Sequence, residues 1–397
     1  MPRFEPFTGI RYAPGDGALD DLVAPPYDVI SPERRAQLAA RHPHNAVHID
    51  LPVGDGGRSP YEVAAELFGR WQRDGVLVRD ATPAFYTYRM DSTDESGREL
   101  HTLGVIGALE LSRAGEGDVL PHEHTTPKAR SDRLEMLRST RANLSPIWGL
   151  SPAAGLTDLL RDSKVVGEWS ASDGTRHQLG RIDDAERVDA IRAVVARAPI
   201  VIADGHHRYE TSLAYRDESR ARSMGSAGDA ELTMMLVVEL VEDELTVRPI
   251  HRLISGLPLD FDLVAALETW FEVTDAGAIE DSIANRMSDE GALCLVLPNR
   301  ALFLTPRPEA MAGVRDLDSS RLDVALAGMP PHELTFQHGV HHIVERVQRR
   351  EAQAGVLLRP VRVAQINEIA EGGERMPPKS TYFHPKPSTG AVFRSFD

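Results

Sequence analysis

The chain has 397 residues, with 44 Lys and Arg against 60 Asp and Glu, a formal charge of −16, and 42% hydrophobic residues. That balance argues against a nucleic-acid binder, which needs a concentrated basic face, and no run approaches the ~18 apolar residues of a membrane span. Cys294 is the sole cysteine, which excludes an internal disulfide framework, a multi-cysteine zinc site and an iron–sulfur cluster, and fits a reducing cytoplasm.

In chain order, VAPPYDVISPERRAQLAARHP opens with a stiff Pro25–Pro26 step, and Ser31 with Pro32 marks the start of a helix of roughly ten residues ending before Pro43. Ser59, Pro60 and Glu62 spell a capping box for a second helix, with Tyr61, Ala64, Ala65, Phe68 and Trp71 on its apolar face and Gly75 closing it. FYTYRM from Phe85 and TLGVIGALEL from Thr102 alternate as paired strands. A polar loop, LPHEHTTPKARSDRLEML, leads into a helix near Pro127 that carries Leu134, Met136 and Leu137 inward. A helix from about Ala185, striped by Val188, Ile191, Val194 and Val195, runs into PIVIADGHHRYETSL, where the period changes from strand to helix across Asp204 and Gly205. MLVVELV and LTVRPIHRLI predict a hairpin across Glu242–Glu244. Beyond Gly256 the pattern restarts: a helix (LVAALETWF), a hairpin (ALCLVLP and ALFLTP), helices near Leu322 and Gly339, and a strand AGVLLRP. A domain boundary is placed there, giving domains 1–255 and 256–397.

Strand, then Asp204, Gly205, His206, His207, Arg208, then helix is the strongest local signal. The first amides of a helix lack internal partners and face the positive end of its dipole, which suits phosphate. Gly205 admits a positive φ, Arg208 can fork onto phosphate oxygens, the histidines can donate, and Asp204 can hold Mg²⁺ or a hydroxyl. The competing reading is that Asp204 caps the helix and the histidines solvate its first turn.

Other candidates are weaker by residue type. Glu123, between His122 and His124, can serve as a general base or stand as a solvated loop carboxylate; the two histidines, at i and i+2, can share a metal. Tyr27 and Asp28 follow the rigid proline pair and suit a substrate contact or a plain turn. Lys379, Ser380, Thr381 and Lys386 offer two cations and hydroxyls in a proline-stiffened segment able to reach phosphates from afar. His251 and Arg252 end a strand and suit an anion or the surface. Asp132 and Arg133 read as a solvated helix face, His338, His341 and His342 as a solvated helix start, and Cys294 as core.

PIVIADGHHRYE resembles the DGHHR box of the ParB and sulfiredoxin-like superfamily, especially its free-serine kinases, and LPHEHTTPKARSDRLEML is similar to their segment carrying a catalytic glutamate, which falls on Glu123. From APPYDVIS through TRANLSPI, ADGHHRY and PIHRLI to MPPKSTYFHPK, nearly the whole chain resembles the family of domain of unknown function 1015. Sulfiredoxin chemistry requires a nucleophilic cysteine in this loop, where His206 and His207 stand. ParB-like DNA clamping is disfavoured by the charge and by the lack of a basic helix-turn-helix.

The expected fold is α+β (mixed α/β): a ParB/sulfiredoxin-like N-terminal domain, a smaller C-terminal α/β domain, and a C-terminal segment returning to the cleft. The resemblance implies a cytoplasmic phosphotransferase between ATP or ADP with Mg²⁺ and a small hydroxyl metabolite, free L-serine or O-phospho-L-serine, as serine kinase or, in reverse, phosphoserine phosphatase. In that reading Glu123, Asp204, His206 and Arg208 are catalytic, Asp28 being the other candidate base. Gly205, His207, Tyr27, Asp28, His122, Arg252, Lys379 and Ser380 bind substrate or nucleotide, and Asp204 is the metal ligand. The alternative is a nucleotide-sensing regulatory module without significant turnover. No nucleic acid or membrane partner is expected, and a homodimer is one option for the assembly.

Overall fold

The computed structural model describes residues 2–93, 99–113, 115–121, 127–223, 225–240, 246–280, 282–362, 364–366, 368, 376 and 381–396. Its described residues form two compact units, one of residues 2–246 with 385–396, the other of residues 247–368 with 376 and 381–384. The boundary expected after residue 255 falls at the end of a strand that pairs inside the second unit.

The first unit is organised on strands β1 (Phe4–Glu5), β2 (Phe85–Thr93), β3 (Glu99–Glu110), β4 (Val119–Pro121), β5 (Ile147–Ser151), β6 (Lys164–Ser170), β7 (Arg176–Ile182), β8 (Ile200–Asp204) and β9 (Leu232–Glu239). They make one sheet in the order β4-β8-β5-β9-β3-β2-β7-β6, with β1 added to β3. Pairing is antiparallel except for β8 with β4 and β9 with β5. Five helices of the unit matter below: α1 (Pro32–Arg41), α2 (Pro60–Arg73), α3 (Pro127–Thr140), α4 (Ala185–Val195) and α5 (His206–Arg222).

Local sequence explains most of these boundaries. Ser31 Oγ accepts the Arg34 amide at the start of α1. At α2 both capping-box bonds form, Glu62 N–H to Ser59 Oγ and Ser59 N–H to Glu62 Oε2, satisfying two amides the helix leaves open. The apolar stripe of α2 then buries Ala64, Phe68 and Trp71 with Ile10, Tyr12, Ile49, Met136 and Phe393. Helix α4 is capped by Asp184 and packs Val188, Ile191 and Val195 with Ile200, Ile202, Met235 and Val237.

The second unit carries β10 (His251–Ser255), β11 (Phe271–Asp275), β12 (Leu293–Leu297), β13 (Arg300–Pro306), β14 (Glu333–Gln337) and β15 (Ala354–Leu357), with α6 (Asp318–Leu326) and α7 (Val340–Gln348). The sheet runs β11-β13-β12-β15-β10-β14, all antiparallel. Period-two alternation splits β12 between two cores: Leu293 and Leu295 pack with Leu322 and Leu326 of α6, Cys294 and Val296 with Ile343 and Val347 of α7. Cys294 is fully buried, and burial pushes its thiol up to about 12. The architecture is α+β.

One predicted pairing is corrected. MLVVELV and PIHRLI do not form a hairpin: β9 lies between β5 and β3 in the first unit, whereas β10 pairs with β14 and β15 in the second. Both runs are apolar enough to be central strands, and such runs do not specify a neighbour.

Candidate active site at the β8–α5 corner

Strand β8 brings four buried residues, Ile200 to Ala203, to the end of the sheet, and its register against β5 shifts between Ile202 and Asp204. A bulge of this kind re-aims the side chain that follows it. Gly205 then turns the chain at φ +91°, and α5 starts at His206. Among the described residues no side chain caps this helix and its first turn carries no acid. Arg208 stands at the third helical position, where a capping box would place a glutamate. A cation there opposes the helix dipole unless something negative joins it.

Asp204 supplies part of that charge. Its Oδ2 accepts from Arg208 Nη2 at 2.8 Å and its Oδ1 from Lys386 Nζ at 2.7 Å. Lys386 also donates to Asp28 Oδ2 at 3.1 Å, so one buried ammonium bridges two carboxylates 176 positions apart in the sequence. Burial would raise the Asp204 pKa, but the Lys386 ammonium and the Arg208 guanidinium outweigh it and hold the carboxyl well below the usual range. Burial works against the Lys386 charge too, and Asp204 and Asp28 overcome it, raising that pKa. Arg208 Nη1 donates to Ser145 Oγ at 3.1 Å and to the Pro146 carbonyl.

Lys386 is placed by the residues after it. Ser388 donates its amide to Tyr88 Oη at 2.8 Å and accepts from Trp169 Nε1 at 3.1 Å. Thr389 exchanges backbone bonds with Ala24 at 3.0 and 2.8 Å, and its hydroxyl donates to Asp50 Oδ2 at 3.1 Å.

Beside Arg208 a cavity of about 440 Å³, open mouth included, is lined by Tyr27, Asp50, Arg133, Ser145 and Thr233, among others. Arg133 is buried, lies 4.1 Å over the Tyr27 ring, and donates to Asp50 Oδ1 at 3.1 Å and Asp132 Oδ2 at 2.7 Å. The expected solvated face at Asp132 and Arg133 is thereby corrected: Arg133 turns into the unit because Asp50 offers a buried acceptor. Burial pushes the Tyr27 phenol up to about 12, against the opposing pull of Arg208. The cavity thus presents two guanidinium groups already paired with carboxylates, the Asp50 carboxylate, a neutral phenol and hydroxyls, beside apolar walls from Met136, Leu137, Leu144 and Ile147.

The sequence-selected residues are distributed as follows. Asp204, Gly205, Arg208 and Asp28 meet at the corner, and Tyr27 lines the cavity. His206 is buried and His207 half-buried in the first turn of α5. Arg252 lies in the second unit, 1% exposed, donating to the Ile250 carbonyl at 2.6 Å with its guanidinium 4.5 Å over Phe336. It is a buried residue and not the exposed strand end that its position suggested. Burial drives the neighbouring His251 down to about 3. Glu123, His122, Lys379 and Ser380 lie outside the described residues. Lys386, named with Lys379 as the second cation of one segment, is the lysine found at Asp204. Asp50, Arg133 and Ser145 carried no local signal that would have singled them out.

Mg²⁺ on Asp204 does not fit this arrangement. Both carboxylate oxygens are taken by cationic groups, and a dication at the same oxygens would face Lys386 and Arg208 directly. Among the described residues Asp16, His42 and His44 bring one potential ligand atom each to within 4.8 Å of the others.

An α+β protein with a strand–glycine–helix corner where Lys386 and Arg208 pair with Asp204 and Asp28 is the class that fold and site define. The family described as "Protein of unknown function (DUF1015)" matches residues 4–325, and the chain belongs to it. No curated protein matches the chain. Among solved structures it is similar to a free serine kinase in complex with AMP (13% identity, covering 67% of this chain and 83% of that one, TM-score 0.37). It is also similar to a conserved hypothetical protein from Pyrococcus furiosus (14% identity, 69% and 90%, TM-score 0.37) and to SbnI with C-terminal truncation from Staphylococcus aureus (10% identity, 72% and 85%, TM-score 0.39). No helix among the described residues is long and apolar enough to cross a membrane.

Proposed function

We propose that the β8–α5 corner holds the phosphates of ATP or ADP and that the protein transfers a phosphoryl group between that nucleotide and a small hydroxyl metabolite. Free L-serine and O-phospho-L-serine are the leading pair, a choice that comes from the resemblance of the DGHHR segment. The observation that supports the reading is the start of α5: a 17-residue helix with no side-chain cap, entered through a glycine at φ +91°, with Lys386 and Arg208 fixed beside it. Phosphoryl transfer asks a protein chiefly for positioning and for positive charge where the transferred group gathers negative charge. In this reading Lys386 and Arg208 supply the charge. Asp204 positions both and takes up no proton, since a carboxylate held at low pKa is a weak base. The base is Glu123 or Asp28, and the cavity at Tyr27 and Arg133 receives the metabolite.

The test combines nucleotide-dependent melting with phosphorus NMR of serine plus ATP and of phosphoserine plus ADP, with and without Mg²⁺. The expected result is a rise in Tm with ATP or ADP and interconversion of serine and phosphoserine. Nucleotide at a hundredfold excess over Kd would add about 2.7 kcal/mol of stability. Arg208→Gln and Lys386→Met should each lose most of the Tm shift. Glu123→Gln and Asp28→Asn should keep it, and the one that removes the base should abolish exchange. A Tm shift without exchange selects the nucleotide-sensing module, which the occupied oxygens of Asp204 favour. Absence of any shift removes both readings.

A further inference from the structure

We propose that Asp16, His42 and His44 form a binding site for one divalent transition-metal ion of the zinc class. One ligand atom from each of the three lies within 4.8 Å of the others, and all three residues are half-buried. The trio belongs to the first unit and shares no residue with the β8–α5 corner, so it stands whether or not the phosphoryl-transfer reading does.

The local chain explains why these groups meet. Helix α1 stops at His42, in extended conformation before Pro43, and the chain reverses in a turn closed by the Asn45 amide on the His42 carbonyl at 3.0 Å. His42 and His44 are the first and third residues of that turn, with ring centroids 5.3 Å apart. Asp16 comes from the other side on a loop whose flanking glycines, Gly15 at φ +99° and Gly17 at φ +149°, adopt backbone that other residues resist. A Cβ on Gly17 would stand 3.3 Å from His42 Nε2, so glycine there lets the loop close on the imidazole. Asp16 Oδ2 lies 2.7 Å from His44 Nδ1.

The groups behind the donors are fixed as well. The His44 carbonyl accepts Tyr12 Oη at 2.7 Å, and the His44 ring meets the Trp71 ring edge-on at 5.4 Å. The His42 carbonyl pairs with His48 Nε2 at 3.3 Å. These contacts fix the backbone of the turn and one side of the His44 ring.

Two imidazoles and one carboxylate form a borderline donor set that suits Zn²⁺ and its neighbours, whereas Mg²⁺ and Ca²⁺ prefer oxygen alone. Three protein ligands leave a fourth tetrahedral position for water. With metal–ligand bonds of about 2.1 Å, tetrahedral donors stand roughly 3.4 Å apart, so loading replaces the 2.7 Å Asp16–His44 hydrogen bond, opens that pair slightly, and brings His42 into the same shell, clasping the Asp16 loop to the turn after α1. His42 Nδ1 accepts the His44 amide at 3.1 Å, a bond that ligation through this nitrogen would replace.

The full chain, stripped by a chelator and dialysed, is titrated with Zn²⁺ by calorimetry and with Co²⁺ by visible absorption, and melted with and without Zn²⁺. The expected result is one ion per chain at micromolar Kd or tighter, a tetrahedral Co²⁺ spectrum, and a Tm that rises with Zn²⁺ and falls back on adding EDTA. Asp16→Asn, a near-isosteric change in a half-buried loop, should weaken binding by roughly tenfold or more, as should His44→Gln. A variant with His338, His341 and His342 all changed to Gln should bind as the parent does. No saturable binding, binding that persists in Asp16→Asn/His44→Gln, or binding lost only in the triple-histidine variant overturns the proposal.

Discussion

At Asp204 the balance between burial and charge is decided by two neighbours. The side chain is 17% exposed and Lys386 7%, so neither charge is well solvated, and each is tolerable because the other is there. Taking away one member of a buried pair leaves the second without compensation, a cost of roughly 3 kcal/mol or more. Asp204→Asn is therefore expected to lower the unfolding free energy extrapolated from urea denaturation by about that much. The pH dependence has a definite sign. The folded carboxyl is held below its unfolded value, near 3.9, so its contribution is present above that pH and is lost as pH falls toward the folded value. The Lys386 ammonium is raised above its unfolded value, near 10.4, so its contribution is present below that pH and is lost as pH rises through the folded value. Melting curves across the acid limb should thus show a shallower fall in Tm for Asp204→Asn than for the parent. Lys386→Met should flatten the alkaline limb instead.

On the scale of the element, the β8–α5 junction depends on Gly205. A Cβ at that position would sit 3.0 Å from both Nε and Nη2 of Arg208, and the φ of +91° already disfavours any other residue. Gly205→Ala is expected to cost about 1–2 kcal/mol in backbone strain and to push the guanidinium off Asp204, which urea denaturation together with the nucleotide-dependent Tm shift would register. The junction itself was readable from sequence, because a change from apolar run to helical spacing across Asp-Gly is a local pattern. So were the caps at Ser31 and Ser59, where donor and acceptor are three residues apart. Partners across long separations were not. Lys386 meets Asp204 from 182 residues away, and the segment KSTYFHPK offered two lysines with nothing local to choose between them. Arg133 looked like one more charge on a polar helix, since the acid that buries it, Asp50, is 83 residues upstream. The hairpin expected from MLVVELV and PIHRLI failed for a related reason: strand character is local, strand partnership is not.

Over the whole chain, the same non-locality makes the last residues part of the first unit's core. Phe393 exchanges backbone bonds with Ile10 at 2.9 Å in both directions and is fully buried, with Val392 and Phe396 nearly so. Arg394 pairs in register with Asn143 and sends its guanidinium to the carbonyls of Leu232 and Asp229 at 3.0 and 2.7 Å. Each large apolar side chain contributes roughly 1.5–3 kcal/mol on burial, so Val392, Phe393 and Phe396 together approach the net stability of a typical domain, about 5–15 kcal/mol. A chain ending at Pro387 keeps Lys386 but loses these side chains together with the Ser388 and Thr389 anchors that place it. It is expected to lose the cooperative unfolding of the first unit, visible as a missing transition in circular dichroism melts. Phe393→Ala, which leaves the backbone bonds in place, should cost about 3–5 kcal/mol and retain that transition at lower temperature. If the truncated chain melted like the parent, the terminal segment would be a surface tail, and Lys386 would have no fixed place from which to neutralise a phosphate.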